Sequence, residues 1–116
     1  MGGEKRQETP WGYFVVLDEG ATYKVKRFVV KPGQRLSLQR HSKRAEHWFV
    51  VEGEGVATVG DRRILLAPGI SLDVPRMSWH RVQNTGAADL VIAEIQTGTY
   101  FGEDDIERKA DDYGRE

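Results

Sequence analysis

The chain has 116 residues, 39% hydrophobic and 30% charged, which is enough for one globular core and too little for two. Seventeen basic and 18 acidic residues leave a formal charge of -1, so there is no electrostatic footprint for nucleic acid or an anionic membrane surface. The absence of cysteine excludes a disulfide scaffold, a thiolate metal site and a cysteine nucleophile.

In chain order, Met1 to Glu8 is polar with no apolar core of a signal peptide, and residues 1–9 are expected to be a flexible N-terminus ahead of a single domain over 10–116. No run approaches the ~20 apolar residues of a membrane span, so a soluble, cytoplasmic protein is expected. Short runs rich in Val, Ile, Leu and aromatics predict strands near 12–17, 23–30, 36–41, 46–52, 55–59, 62–66, 70–74, 80–84 and 90–96. Between them, Asp18-Glu19-Gly20, Lys31-Pro32-Gly33, Glu52-Gly53, Gly60-Asp61, Ala67-Pro68-Gly69 and Asn84-Thr85-Gly86 supply the backbone freedom or fixed φ of tight turns. Glu103 to Asp112, acidic at its start, predicts a short C-terminal helix. The pattern is that of an all-β sandwich or barrel.

Two segments carry chemistry. The first, G-x5-Q-x-H-x4-E-x6-G, runs from Gly33 through Gln39, His41 and Glu46 to Gly53. The second, G-x5-P-x4-H-x3-N, runs from Gly69 through Pro75 and His80 to Asn84. Side chains two apart on a strand share a face, so Gln39 and His41 point together, with Ser37 and Arg35 on the same side. On the next strand Glu46, Trp48 and Val50 share one face and His47, Phe49 and Val51 the other. Both faces are apolar while a small barrel has one interior, so the second face is left to the N-terminal strand, the C-terminal tail or another subunit, and a homodimer is expected. Alternation also sends His47 away from Glu46, towards a structural hydrogen bond. Trp11 and Trp48 are read as core, and Trp79 as core or pocket rim.

These segments resemble the two motifs of the cupin family, with Gln39 where most cupins place their first histidine. With Leu36-Ser37-Leu38 before it and Arg44-Ala45-Glu46-His47-Trp48 after it, Gln39 makes the chain similar to the type II mannose-6-phosphate isomerase cupins, which usually form the C-terminal part of a fused mannose-1-phosphate guanylyltransferase. The resemblance extends from Pro10-Trp11-Gly12 through Tyr23 to Arg27, Val30 to Gly33 and Glu94 to Gly98, and on to Tyr100 to Ile106 and Asp112 to Arg115. It implies a double-stranded β-helix, or jelly-roll barrel, with Gln39, His41, Glu46 and His80 holding a divalent ion: Zn²⁺, Mn²⁺, Co²⁺, Ni²⁺ or Fe²⁺.

The resemblance also implies interconversion of mannose 6-phosphate and fructose 6-phosphate, feeding GDP-mannose and polysaccharide synthesis. The family arginine matching Arg44 is expected to orient the sugar or stabilise developing charge, since a guanidinium is a poor proton carrier. By position, Lys26 and Arg35 are expected to bind the phosphate, Ser37 by similarity to the Ser-x-Gln-x-His run of the unfused isomerases, and Arg115 by its place in the family-like tail. Ser42 and Lys43 stand where many relatives have histidines, and Lys43 is a further cation for the phosphate. No glycine-rich phosphate loop precedes Trp11, so guanylyltransferase activity is not expected from this polypeptide alone. The other readings are a non-catalytic metal- or sugar-phosphate-binding cupin that assists a separately encoded guanylyltransferase, and a cupin isomerase or epimerase acting on another phosphosugar.

Overall fold

A computed structural model of the chain describes residues 5–115. Eleven strands follow one another: β1 (Gln7–Thr9), β2 (Gly12–Glu19), β3 (Tyr23–Val30), β4 (Leu38–His41), β5 (Arg44–Glu52), β6 (Gly55–Val59), β7 (Arg62–Leu66), β8 (Ser71–Val74), β9 (His80–Asn84), β10 (Leu90–Gly98) and β11 (Ile106–Ala110). They form a six-stranded sheet ordered β1-β2-β3-β10-β5-β8 and a five-stranded sheet ordered β11-β4-β9-β6-β7, paired antiparallel throughout. No helix of the described residues is long and apolar enough to cross a membrane.

The two sheets close on one core because each inner strand alternates. On β5 the even positions Trp48 and Val50 are buried while His47, Phe49 and Val51 are exposed. On β10 Leu90 and Ile92 face the same interior, against Phe28, Ala57 and Val82. A ladder of edge-to-face rings runs from Trp11 to Phe28 (5.9 Å), Phe28 to Trp48 (5.6 Å) and Trp48 to His80 (5.8 Å). It ties the position of His80 to the packing of the core, and each such pair contributes about 0.5–1.5 kcal/mol beyond area burial.

Within the N-terminal stretch Gln7–Thr9 forms β1, hydrogen-bonded to β2 in the register Gln7 opposite Phe14; residues 1–4 lie outside the described part. One terminal expectation is corrected. The expected C-terminal helix is a single 3-10 turn at Glu103–Asp105 followed by β11, which adds itself to the edge of β4. Asp105 explains the stop. Its carboxylate accepts from Ser42 Oγ (2.7 Å) and the backbone N–H of Lys43 (3.0 Å), clamping the segment to the β4–β5 turn.

Two motif residues serve the fold. Gly53 has φ +91°, and a Cβ there would lie 2.5 Å from the carbonyl oxygen of Asp89, so the closing glycine of the first motif is required twice over. Buried Asn84 donates through Nδ2 to the carbonyls of Val30 and Ala88, both at 2.8 Å, and its Oδ1 accepts from the N–H of Gly86 at 2.8 Å.

Candidate metal centre

His41 ends β4, Glu46 lies on β5 and His80 opens β9, so the three come from both sheets and meet inside the barrel. All three are buried, and one ring nitrogen from each imidazole and one oxygen of Glu46 lie within 4.8 Å of one another. Nε2 of His41 is 3.4 Å from Glu46 Oε2, and Nε2 of His80 is 3.9 Å from Glu46 Oε1. Gln39 stands directly across the β4–β9 ladder from His80, on the same face, and lines a cavity together with Glu46.

The donors are prepared for a cation. His80 gives its Nδ1–H to the carbonyl of Ser78 (2.9 Å), which leaves the lone pair of Nε2 facing inward, buried and without a partner among the described residues. Burial holds the pKa of both imidazoles down, that of His41 to about 3 with further depression from the charge of Arg44, so each ring is neutral and able to ligate. Ser37, wholly buried, donates its hydroxyl to Gln39 Oε1 (2.9 Å) and so fixes the orientation of the amide. Two neutral imidazoles, a carboxylate and an amide oxygen fit a borderline divalent ion, with Gln39, His41, Glu46 and His80 as its holders.

Arg44 occupies the heart of this group. Its Nε donates to Glu46 Oε2 (3.0 Å), its Nη1 to the carbonyl of Phe101 (3.3 Å), and its Nη2 lies 3.2 Å from His41 Nε2. A guanidinium has no lone pair to offer, so His41 Nε2 must be the acceptor. In this arrangement Arg44 supplies the positive charge that the buried carboxylate requires.

A second carboxyl adjoins the first. Trp48 Nε1 divides its hydrogen bond between Glu46 Oε1 (3.1 Å) and Glu94 Oε2 (3.0 Å), and Gln96 Nε2 donates to Glu94 Oε1 (2.9 Å). Burial, and then the neighbouring charge of Glu46, push the Glu94 carboxyl up to about 8. Glu94 and Gln96 were not singled out from sequence as site residues, yet a signal exists: they continue the inward-facing series Leu90, Ile92 on β10 and are polar where the series demands apolar residues.

The expected phosphate ligands separate into two groups. Lys26 is buried and lines the cavity with its ammonium 4.3 Å from the centre of the Phe14 ring, and Arg115 lines it while bound to Asp111. Arg35 does not reach it: it forms an isolated bridge with Gln83 ahead of β4, Leu36 and Ser37 are buried in succession, and the Arg35 side chain makes a two-pronged bond with Asp112 (2.7 and 2.9 Å). Lys43 also lies outside the cavity, 5.1 Å from the centre of the Tyr100 ring. Ser37 is spent on Gln39. His47 makes its structural bond, Nδ1 to Asp73 at 2.7 Å on the outer face.

Comparisons with known proteins give the family and the fold. Residues 4–111 match the family described as mannose-6-phosphate isomerase C-terminal. The chain is 50% identical over 106 residues to the alginate biosynthesis protein AlgA of Pseudomonas aeruginosa and 43% identical over 106 residues to the mannose-1-phosphate guanylyltransferase of Escherichia coli K12; each match covers 91% of this chain and 22% of the relative. The chain thus spans about a fifth of the length of these relatives. Among solved structures, a cupin-2 domain protein from Rhodospirillum rubrum superposes with a TM-score of 0.70 at 25% identity, covering 87% of this chain and 74% of that one. A double-stranded β-helix protein from Klebsiella pneumoniae gives 0.75 at 18% identity, covering 89% and 88%. The fold is a cupin, and the chain belongs to the mannose-6-phosphate isomerase C-terminal family.

Proposed function

We propose that the protein is a metal-dependent aldose-ketose isomerase that interconverts mannose 6-phosphate and fructose 6-phosphate in the cytoplasm. The observation that carries the reading is the buried His41, Glu46 and His80 group, which adjoins through Glu46 a cavity also lined by Gln39, Arg44 and Glu94. The family and the AlgA and guanylyltransferase relatives support the choice of phosphosugar. A bound divalent ion would supply Lewis-acid polarisation of a sugar oxygen.

The chain's own residues would do the rest. Isomerisation moves a proton between adjacent carbons through an enediolate, so the site must stabilise an oxyanion and relay a proton. Arg44, rooted on the Phe101 carbonyl, directs its guanidinium at the ligand group and serves as the fixed charge that orients the sugar. Glu94 is the cavity's second carboxyl, held in place by Trp48 and Gln96 and placed to relay the proton. Trp11, Phe14 and Phe28 give the cavity an apolar wall that limits water.

Glu94→Gln should lower kcat by about 100-fold, the scale of general acid-base catalysis, while leaving metal content unchanged. The reading is tested by following fructose 6-phosphate formation from mannose 6-phosphate, with glucose 6-phosphate as comparison. Turnover of the mannose compound alone fits; preference for the glucose compound redirects the reading to another phosphosugar, and binding without turnover to the module that assists a guanylyltransferase.

We also infer a homodimer. The outer face of the six-stranded sheet exposes Phe49, Val51 and Ile95 at 46%, 46% and 44%, and packing that face on a second copy would cover them. Sedimentation of the wild type against Phe49→Glu measures it: a dimer converted to a monomer fits, and a wild-type monomer refutes it.

A further inference from the structure

Among the described residues that line the cavity, one cation has no side-chain partner. Arg44 is paired with Glu46 at 3.0 Å, Arg115 is held by Asp111 through Nε at 2.8 Å and Nη2 at 3.0 Å, and the ammonium of Lys26 lies 4.3 Å from the centre of the Phe14 ring. Arg108 lines the same cavity, but no ion pair or hydrogen bond joins its side chain to another described residue, and its Nε is buried without an acceptor. A buried guanidinium nitrogen with no acceptor carries an uncompensated desolvation cost. Gln96 shows the reverse: its Nε2 is used on Glu94, while its Oε1 is buried with no donor. Among the described residues the cavity therefore holds an unfilled cationic donor in Arg108, an unfilled acceptor in Gln96 and an unpartnered hydroxyl in Thr9, which together complement an anion that also carries hydroxyls.

The register gives these groups a direction. Arg108 on β11 lies opposite Gln39 on β4, and Gln39 lies opposite His80 on β9. Arg108, Gln39 and His80 thus form one row across three strands, and two strand spacings put the ends about 10 Å apart. That is the reach of a six-carbon sugar phosphate whose C1–C2 end meets the His/Glu group. We propose that Arg108 receives the phosphate of the substrate and that Gln96 Oε1 accepts one of its hydroxyls. This assignment rests on the phosphosugar reading above, and makes the edge strand β11 part of the substrate site.

The test is calorimetric titration of the Zn²⁺-reconstituted protein with mannose 6-phosphate and with inorganic phosphate, alongside KM and kcat. Arg108→Gln should weaken both ligands by about 10- to 100-fold, the range of a lost charge-assisted contact, with the kinetic loss falling in KM. Arg108→Lys, which keeps the charge without the fork, should lose less. Gln96→Leu should weaken mannose 6-phosphate and leave inorganic phosphate unchanged, and Arg63→Gln, on the exposed outside of β7, should match the wild type. Binding of either ligand by Arg108→Gln within about twofold of wild type overturns the proposal, as does a wild type that binds neither. Loss of binding in Arg108→Gln when the wild type itself does not turn over upholds the phosphate site and refutes the isomerase reading; unchanged kinetics in Arg108→Gln with an active wild type does the opposite.

Discussion

Arg44→Ala should cost the metal-free protein far more than the metal-loaded one. Arg44 and Glu46 are almost dry, with 4% and 3% of their side chains exposed, and the guanidinium is bonded to the carboxylate at 3.0 Å. Removing one member of a buried pair leaves an uncompensated charge and costs about 3–5 kcal/mol, a large share of the 5–15 kcal/mol typical of a domain. With a urea dependence of about 2 kcal/mol/M, the unfolding midpoint should fall by about 2 M. A divalent ion bound at His41, Glu46 and His80 would take over the charge of Glu46, so saturation with Zn²⁺ should shrink the loss to below about 2 kcal/mol, beyond the stabilisation that ligand binding gives any native state. Urea unfolding of wild type and variant, each with chelator and with Zn²⁺, supplies the four values. A metal-free loss under about 1 kcal/mol, or a gap that Zn²⁺ leaves unchanged, would refute the idea that Arg44 stands in for the cation.

Other consequences are equally specific. Ser37→Ala removes the hydroxyl that orients the Gln39 amide and should lower metal affinity by about 10- to 100-fold, as loss of a group that orients a ligand does, with stability changed by less than about 1 kcal/mol; competition with a chromogenic chelator measures the first and urea unfolding the second. Asn84→Ala breaks three hydrogen bonds, one buried and two part-buried, and should cost about 2–4 kcal/mol without altering metal stoichiometry. The C-terminal tail should undock in acid. The Arg115 hydrogen bond holds the Asp111 carboxyl below its ordinary value of 3.8, and Arg35 does the same for Asp112. The stability these pairs give is present above that ordinary value and is lost as pH falls through the lower, folded-state values. Amide exchange across residues 106–115 should therefore accelerate below pH 4 relative to β5, and equal protection at pH 3 and pH 7 would contradict it.

Nine of the eleven strands were legible because their apolar residues alternate and glycine or proline marks their ends; Glu46, Trp48 and Val50 fell inward and His47, Phe49 and Val51 outward as alternation required. β1 escaped because Gln-Glu-Thr has nothing to bury. β11 escaped because Ile106, Arg108 and Ala110 carry a period of two with only one strong apolar residue, after an acidic run that imitates a helix start. The same alternation, carried back through residues 36–37, fails at Arg35: it is bridged to Gln83, but the ladder is interrupted before Leu38 and Leu36 and Ser37 are both buried, so the two-residue rule is broken between them. The His41, Glu46 and His80 group was legible through the resemblance of the two motifs to the cupin family, with alternation adding only that Gln39 and His41 point together. Arg108, Glu94 and Gln96 could not be joined to it before the strand order was known, since β10 and β11 reach the site from opposite sheets.

The most direct test of metal-dependent isomerisation is turnover of mannose 6-phosphate by chelator-stripped protein as Zn²⁺, Mn²⁺ or Co²⁺ is added back, with bound metal counted on the same samples and a Gln39→Ala, His41→Ala double variant beside it. Fructose 6-phosphate formation should rise in proportion to bound ion, reach its limit near one ion per chain, and be absent from the variant. Stoichiometric binding of the ion with no turnover, or turnover that survives chelation, would contradict the account.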